Sequence, residues 1–117
     1  MNYDQPLDKF TITDLETLRV IADPLRSQIY ETLTAKPLAI KDIAERLGLS
    51  ASKLYYHVNL LEKHGLLRVV ETRTVANMIE KIYWIVAQEL ELDESLLSFS
   101  SVSDETKDAL RALMSST

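Results

Sequence analysis

The chain has 117 residues, 46% of them apolar, and a net charge of −5, which fits one globular domain and excludes wholesale disorder. It has no cysteine, so disulfides, thiolate metal ligands and a cysteine nucleophile are excluded together, and a cytoplasmic setting is expected. No run of about 18 apolar residues predicts a membrane span, and Met1-Asn2-Tyr3-Asp4 lacks the basic start and apolar stretch of a secretory signal.

Residues 1–13 read as an irregular lead-in. Thr13-Asp14-Leu15-Glu16 matches a capping box, with Thr13 and Glu16 serving each other's backbone N–H groups. Leu15, Leu18, Ile21 and Ala22 follow, and a first helix is predicted over 14–22. Asp23 suits the cap of a second helix and Pro24 its first turn, where no N–H partner is needed. Leu25, Ile29 and Leu33 give that helix one apolar face, and it ends before Pro37. A third helix is expected from about Ala39 to Leu47, with Ile40, Ile43, Ala44 and Leu47 inward and Gly48 ending it in the left-handed conformation. Ser50 is placed to cap a fourth helix. Leu54, Val58 and Leu61 are its buried face, Lys63 and His64 lie in its last turn, and Gly65 stops it.

After Gly65 the pattern changes. Residues 66–70 and 78–86 are rich in β-branched and aromatic side chains, and the more polar residues 71–77 lie between them. Two strands with a connecting turn are predicted. Residues 88–117 read as an acidic linker and a final helix. Ser103 is its cap, and Ala109, Leu110, Leu113 and Met114 form an apolar face that needs a partner, either this domain or a second subunit. Ser115-Ser116-Thr117 carries no helix-ending device, so a fragment of a longer protein is one expectation. The fold class is α+β, mostly helical: a winged helix-turn-helix over 14–87 with a two-stranded wing and a C-terminal helix.

Residues 40–61 carry the most information. A tight crossing of two helices needs a small side chain, supplied by Ala44, and a turn residue tolerant of positive φ, supplied by Gly48. Ile43, Leu47, Leu49, Leu54 and Val58 supply the apolar contacts of such a pair. Charge agrees with this reading. Residues 24–84 carry nine basic and six acidic side chains, between two acidic ends, and phosphate responds to the local patch more than to the total.

Asp23-Pro24-Leu25-Arg26, then residues 43–52, Ile-Ala-Glu-Arg-Leu-Gly-Leu-Ser-Ala-Ser, then residues 56–67, Tyr-His-Val-Asn-Leu-Leu-Glu-Lys-His-Gly-Leu-Leu, resemble the ArsR-type winged-helix repressors over about residues 14–86. The resemblance implies a homodimer on double-stranded DNA, with recognition helices in successive major grooves, hairpins along the backbone and terminal helices available for dimerisation.

With Leu54, Val58 and Leu61 inward, the outer face of the fourth helix presents Ser50, Ser52, Lys53, Tyr56, His57 and Asn59. The first turns of such a helix meet base edges. Ser50 and Ser52 can donate to phosphate, and Lys53 can neutralise phosphate or donate to guanine. Tyr56 offers a flat ring with a hydroxyl tip. His57 has two readings, a DNA donor or a half-buried ring bonded to nearby backbone. Arg73 on the wing reads as a phosphate or minor-groove contact or as a solvated side chain. Tyr55 is expected to pack against the body of the domain, and Arg26 and Lys41 to be solvated.

His57 and His64 lie two turns apart, about 10 Å by helix rise, too far to share one ion, so no metal or other cofactor is expected. No nucleophile with a base and an orienting group is legible, so no enzyme is expected. The competing function is a winged-helix module that binds protein without DNA. The small-molecule effector, if there is one, is not legible.

Overall fold

The computed structural model describes residues 3–97. The order is β1 (Leu7–Ile12), α1 (Leu15–Ala22), α2 (Pro24–Thr32), β2 (Leu38–Ala39), α3 (Ile40–Leu47), α4 (Ala51–Lys63), β3 (Leu67–Val75), β4 (Met78–Ile85), β5 (Ala87–Leu92) and α5 (Glu94–Leu97). Strands β2, β4 and β3 form an antiparallel sheet in that order, and β1 pairs with β5 in parallel. The winged helix-turn-helix is as expected. The wing has a short third strand beside it that the sequence did not disclose.

The core lies between the helices and the roots of β3 and β4. Leu18, Ile21, Ile29, Leu33, Ile43, Leu54, Val58 and Leu61 are fully buried there, with Leu66, Leu67 and Ile85 from the sheet side. Each such side chain contributes about 1.5–3 kcal/mol by leaving water. Ala44, 3% exposed, is the small residue under the α3–α4 crossing. Gly48 has φ +69, and around it Leu49 N–H donates to the Ala44 carbonyl at 2.9 Å and Gly48 N–H to Glu45 at 3.3 Å. That hydrogen-bonded cap closes α3 and turns the chain into α4. Nothing lies within 4 Å of a Cβ built on Gly48, so the requirement there is one of backbone conformation, not space.

Three expectations need correction. Asp14, not Thr13, caps α1: its carboxylate accepts from Thr17 N–H and from the Thr17 hydroxyl, both at 2.9 Å. A charged acceptor at a helix start outcompetes a hydroxyl one residue earlier. The lead-in over 1–13 is not irregular throughout, since it contains β1. The acidic linker over 88–117 begins as β5, because Ala87 and Leu90 are buried while Glu89 pairs with Lys9 across the parallel ladder at 3.9 Å. Buried Tyr30 on α2 donates its hydroxyl to the Ala87 carbonyl at 2.6 Å, fixing the root of β5. Burial pushes its phenol well above the usual tyrosine range. The final helix expected from Ser103 lies outside the described residues.

The hairpin is also longer than predicted. Glu71, Thr72, Arg73 and Thr74 continue β3 and pair with Ile82, Lys81, Glu80 and Ile79. The turn is only Ala76-Asn77, both at positive φ (51 and 65). A two-residue turn with that backbone matches the twist of the strands it joins. Polar residues on a two-sided, solvent-exposed hairpin look like loop in sequence.

Candidate nucleic-acid interface

α4 is held from three sides. Its inward face, Leu54, Val58 and Leu61, is fully buried. At its C-terminal end Leu66 N–H donates to Leu61 and Gly65 N–H to Glu62 (2.9 and 3.0 Å), and Gly65 has φ +75. His64 Nδ1 lies 3.4 Å from the Thr17 hydroxyl, which itself donates to Asp14, tying the end of α4 to the start of α1.

The start of α4 is built differently. Ser50 has the extended backbone of a cap residue, yet its side chain makes no cap hydrogen bond. Its hydroxyl instead lies 3.3 Å from the Ser52 hydroxyl, and both residues are exposed. No acid occupies the first turn of α4, and Lys53 stands there, exposed and in no ion pair among the described residues. A cation beside the positive end of a helix is unfavourable for stability, and free N–H groups there attract anions. One turn on, Tyr56 is 66% exposed.

His57 is half-buried. Arg26 Nη1 lies 3.0 Å from its Nδ1, Arg26 Nε donates to the Val20 carbonyl at 2.6 Å, and Arg26 Nη2 lies 3.9 Å from Asp23. Arg26 is therefore engaged inside the protein, with its side chain 13% exposed, and the expected solvated arginine is corrected. The Tyr56 ring stands edge-on to the His57 ring, with centroids 5.3 Å apart and planes at 73°. The partner of His57 is thus the Arg26 side chain and not nearby backbone.

Asn59 is exposed on the other flank of α4, in a cleft of about 510 Å³ between α4, the start of α3 and the wing. Tyr55 lines the same cleft and is 54% exposed, so its expected packing against the body of the domain is corrected. One residue past the inward Leu54, it is rotated by about 100° toward the wing. Val75, Met78 and Ile79 form the wing side of the cleft. Lys41 lies at its edge and pairs with Glu80 at 3.3 Å, so it is not simply solvated.

Arg73 stands on β3 and pairs with Glu71, which also accepts from the Tyr3 hydroxyl. The Arg73 guanidinium and then the Tyr3 hydroxyl hold the Glu71 carboxyl below the usual carboxylate range. The sequence expectation thus divides in three. Ser50, Ser52, Lys53, Tyr56 and His57 lie between the cap and the middle of α4, Asn59 lines the cleft, and Arg73 is paired with Glu71 on the wing. Among the described residues no three histidine or acidic side chains gather where they could hold a metal ion. No helix among them is long and apolar enough to cross a membrane.

A four-helix body with two closely crossed helices, an exposed α4 and a β-hairpin wing defines a winged helix-turn-helix protein, the class the sequence predicted. Residues 21–70 match the family model described as a helix-turn-helix domain. Among solved structures it is similar to HlyU from Vibrio cholerae, with 25% identity, 85% of each chain covered and a TM-score of 0.51. NolR from Sinorhizobium fredii is 26% identical, with 84% of this chain and 77% of that one covered at a TM-score of 0.50. The transcriptional regulator HlyU from Vibrio vulnificus shares the fold at 24% identity, covering 85% of this chain and 81% of that one at a TM-score of 0.50. No curated protein matches the sequence.

Proposed function

We propose that the chain is a cytoplasmic transcriptional regulator that reads double-stranded DNA as a homodimer, placing the first turns of α4 in the major groove. The observation that carries this reading is the start of α4, which is uncapped by side chain, free of acids and furnished with an unpaired Lys53. That arrangement costs stability and suits a phosphate or a base edge. Ser50, Ser52 and Lys53 take the backbone and neighbouring base edges, and Tyr56 and His57 face bases. Asn59 and Arg73 flank the groove from the cleft and the wing, Arg73 exchanging Glu71 for phosphate. The match to a helix-turn-helix domain and the similarity to a transcriptional regulator support it. The reading assigns no catalytic role and names no effector.

The test is selection from a random duplex pool, followed by salt titration of the enriched sequences. An inverted repeat with half-sites about 10 bp apart, one helical turn, supports a symmetric dimer. Affinity that falls steeply with salt supports phosphate contacts. Dimerisation is tested by sedimentation of the full chain with Leu113→Asp, a position outside the described residues. An unchanged mass removes the segment around Leu113 from the interface.

A second reading has its own observation. Tyr55, Met78 and Ile79 are 54%, 73% and 75% exposed around one cleft, and an apolar patch of this kind suits a protein partner. Failure of the folded protein to bind any duplex moves the assignment to a protein-binding winged helix.

A further inference from the structure

A guanidinium has five N–H donors and no acceptor. With Arg26 Nη1 at 3.0 Å, Nδ1 of His57 must therefore accept, and the ring proton sits on Nε2. Arg26 has no freedom to withdraw. Its Nε is bonded to the Val20 carbonyl at 2.6 Å, Asp23 lies 3.9 Å from Nη2, and only 13% of its side chain is exposed. Asp23 is fixed in turn, since its carboxylate accepts from Leu25 N–H at 2.9 Å and from Arg26 N–H at 3.1 Å.

The other ring nitrogen is open. Among the described residues the buried side-chain nitrogens and oxygens without a partner reduce to Trp84 Nε1. His57 Nε2, which has no protein partner there, is therefore not sealed from solvent. The edge-on Tyr56 ring at 5.3 Å flanks the imidazole on the exposed side of α4.

We propose that Arg26 is a positioning residue that makes His57 a one-sided donor, so that α4 offers the Nε2–H of His57 to a hydrogen-bond acceptor of the duplex. This deepens the DNA reading above and rests on it. Phosphate oxygens and purine N7 atoms are acceptors of the required kind. The amino groups of cytosine and adenine are donors and are refused at this position. A histidine without the arginine behind it could present either a donor or an acceptor.

The free protein gives the first test. Nitrogen-15 spectra of labelled histidine at neutral pH are expected to show a bare Nδ1 and a protonated Nε2 for His57. Arg26→Met is expected to lose that fixed pattern. Arg26→Gln, whose amide can accept as well as donate, serves in its place if the methionine variant does not fold. A proton on Nδ1 in the unaltered protein overturns the proposal.

The second test uses duplexes selected from a random pool. His57→Gln, whose amide nitrogen reaches the place of Nε2, is expected to stay within about threefold of the unaltered protein. His57→Asn and His57→Ala are expected to lose roughly tenfold. Equal losses for the glutamine and asparagine variants overturn the donor assignment.

Substitution of single purines by 7-deaza analogues, or of single phosphates by methylphosphonates, then locates the acceptor. The right position weakens the unaltered protein and not His57→Ala, and no such position overturns the acceptor. If the unaltered protein binds no duplex, the DNA reading falls and the acceptor falls with it, while the tautomer is judged separately in the free protein.

Discussion

Helices α2 and α4 begin in opposite ways. At α2 the Asp23 carboxylate accepts two backbone N–H groups, Pro24 occupies the first turn and Arg26 folds back toward the carboxylate. At α4 the side chain of the serine at the cap position accepts no N–H, no acid is present in the first turn, and a lysine faces solvent. One start satisfies itself with a carboxylate and the other has no side-chain acceptor of its own. Local rules for helix stability are obeyed at α2 and broken at α4, where the proposed function puts the contact with DNA.

The contrast can be broken by exchanging the two kinds of start. Lys53→Glu is expected to lower affinity for selected DNA on the order of 100-fold, by removing a phosphate contact and adding a repulsive charge. Its melting temperature should stay level or rise, since an acid in the first turn suits the helix. A variant that binds normally removes Lys53 from the interface.

Asp23→Ala is expected to cost about 1–2 kcal/mol in urea unfolding, by loss of the double cap. A negligible change would mean that the cap is not a stabilising feature. Ser50→Asp sharpens the comparison from the other side. It should gain about 0.5 kcal/mol of stability as a charged cap and lose roughly tenfold in DNA affinity. Gain in both would contradict a trade-off at this helix start.

The smallest effect belongs to α1. The Thr17 backbone N–H, the Thr17 hydroxyl and the charge of His64 hold the Asp14 carboxyl below the usual carboxylate range. A lowered folded-state value means that Asp14 adds stability above the ordinary aspartate range and that this is lost as pH falls through the lowered value. Asp14→Asn should therefore flatten the acid limb of the stability curve slightly and change little near neutrality. An unaltered acid limb would show that the pairing is not felt in the folded protein.

The helix-turn-helix was legible because its signals are local. Asp23-Pro24, Ala44 with Gly48, and Leu54, Val58 and Leu61 each act within a few residues of themselves. The missed features depend on distant partners. β1 and β5 are short and half polar, and neither declares a strand without the other beside it. Arg26 looks like a solvated arginine until α4 packs against α2 and sets His57 beside it. Of the proposed binding face, the exposure of Ser50, Ser52, Lys53 and Tyr56 followed from helix periodicity alone. The pairing of Arg73 with Glu71 did not, because both fall in a polar stretch that reads as a turn and only the longer β3 aligns them on one face.

The parallel pairing of β1 with β5 joins the first described strand to the last. Leu7 sits opposite Ala87, and every other described helix and strand except α5 lies in the loop between the two strands. Such a clasp can close only once the intervening chain has brought its ends together. It therefore forms late, and weakening it, for instance at Ile12 or Leu90, should leave the folding rate nearly untouched while the chain opens faster. The lifetime of the folded chain is thus expected to be set at a seam far along the chain from α4.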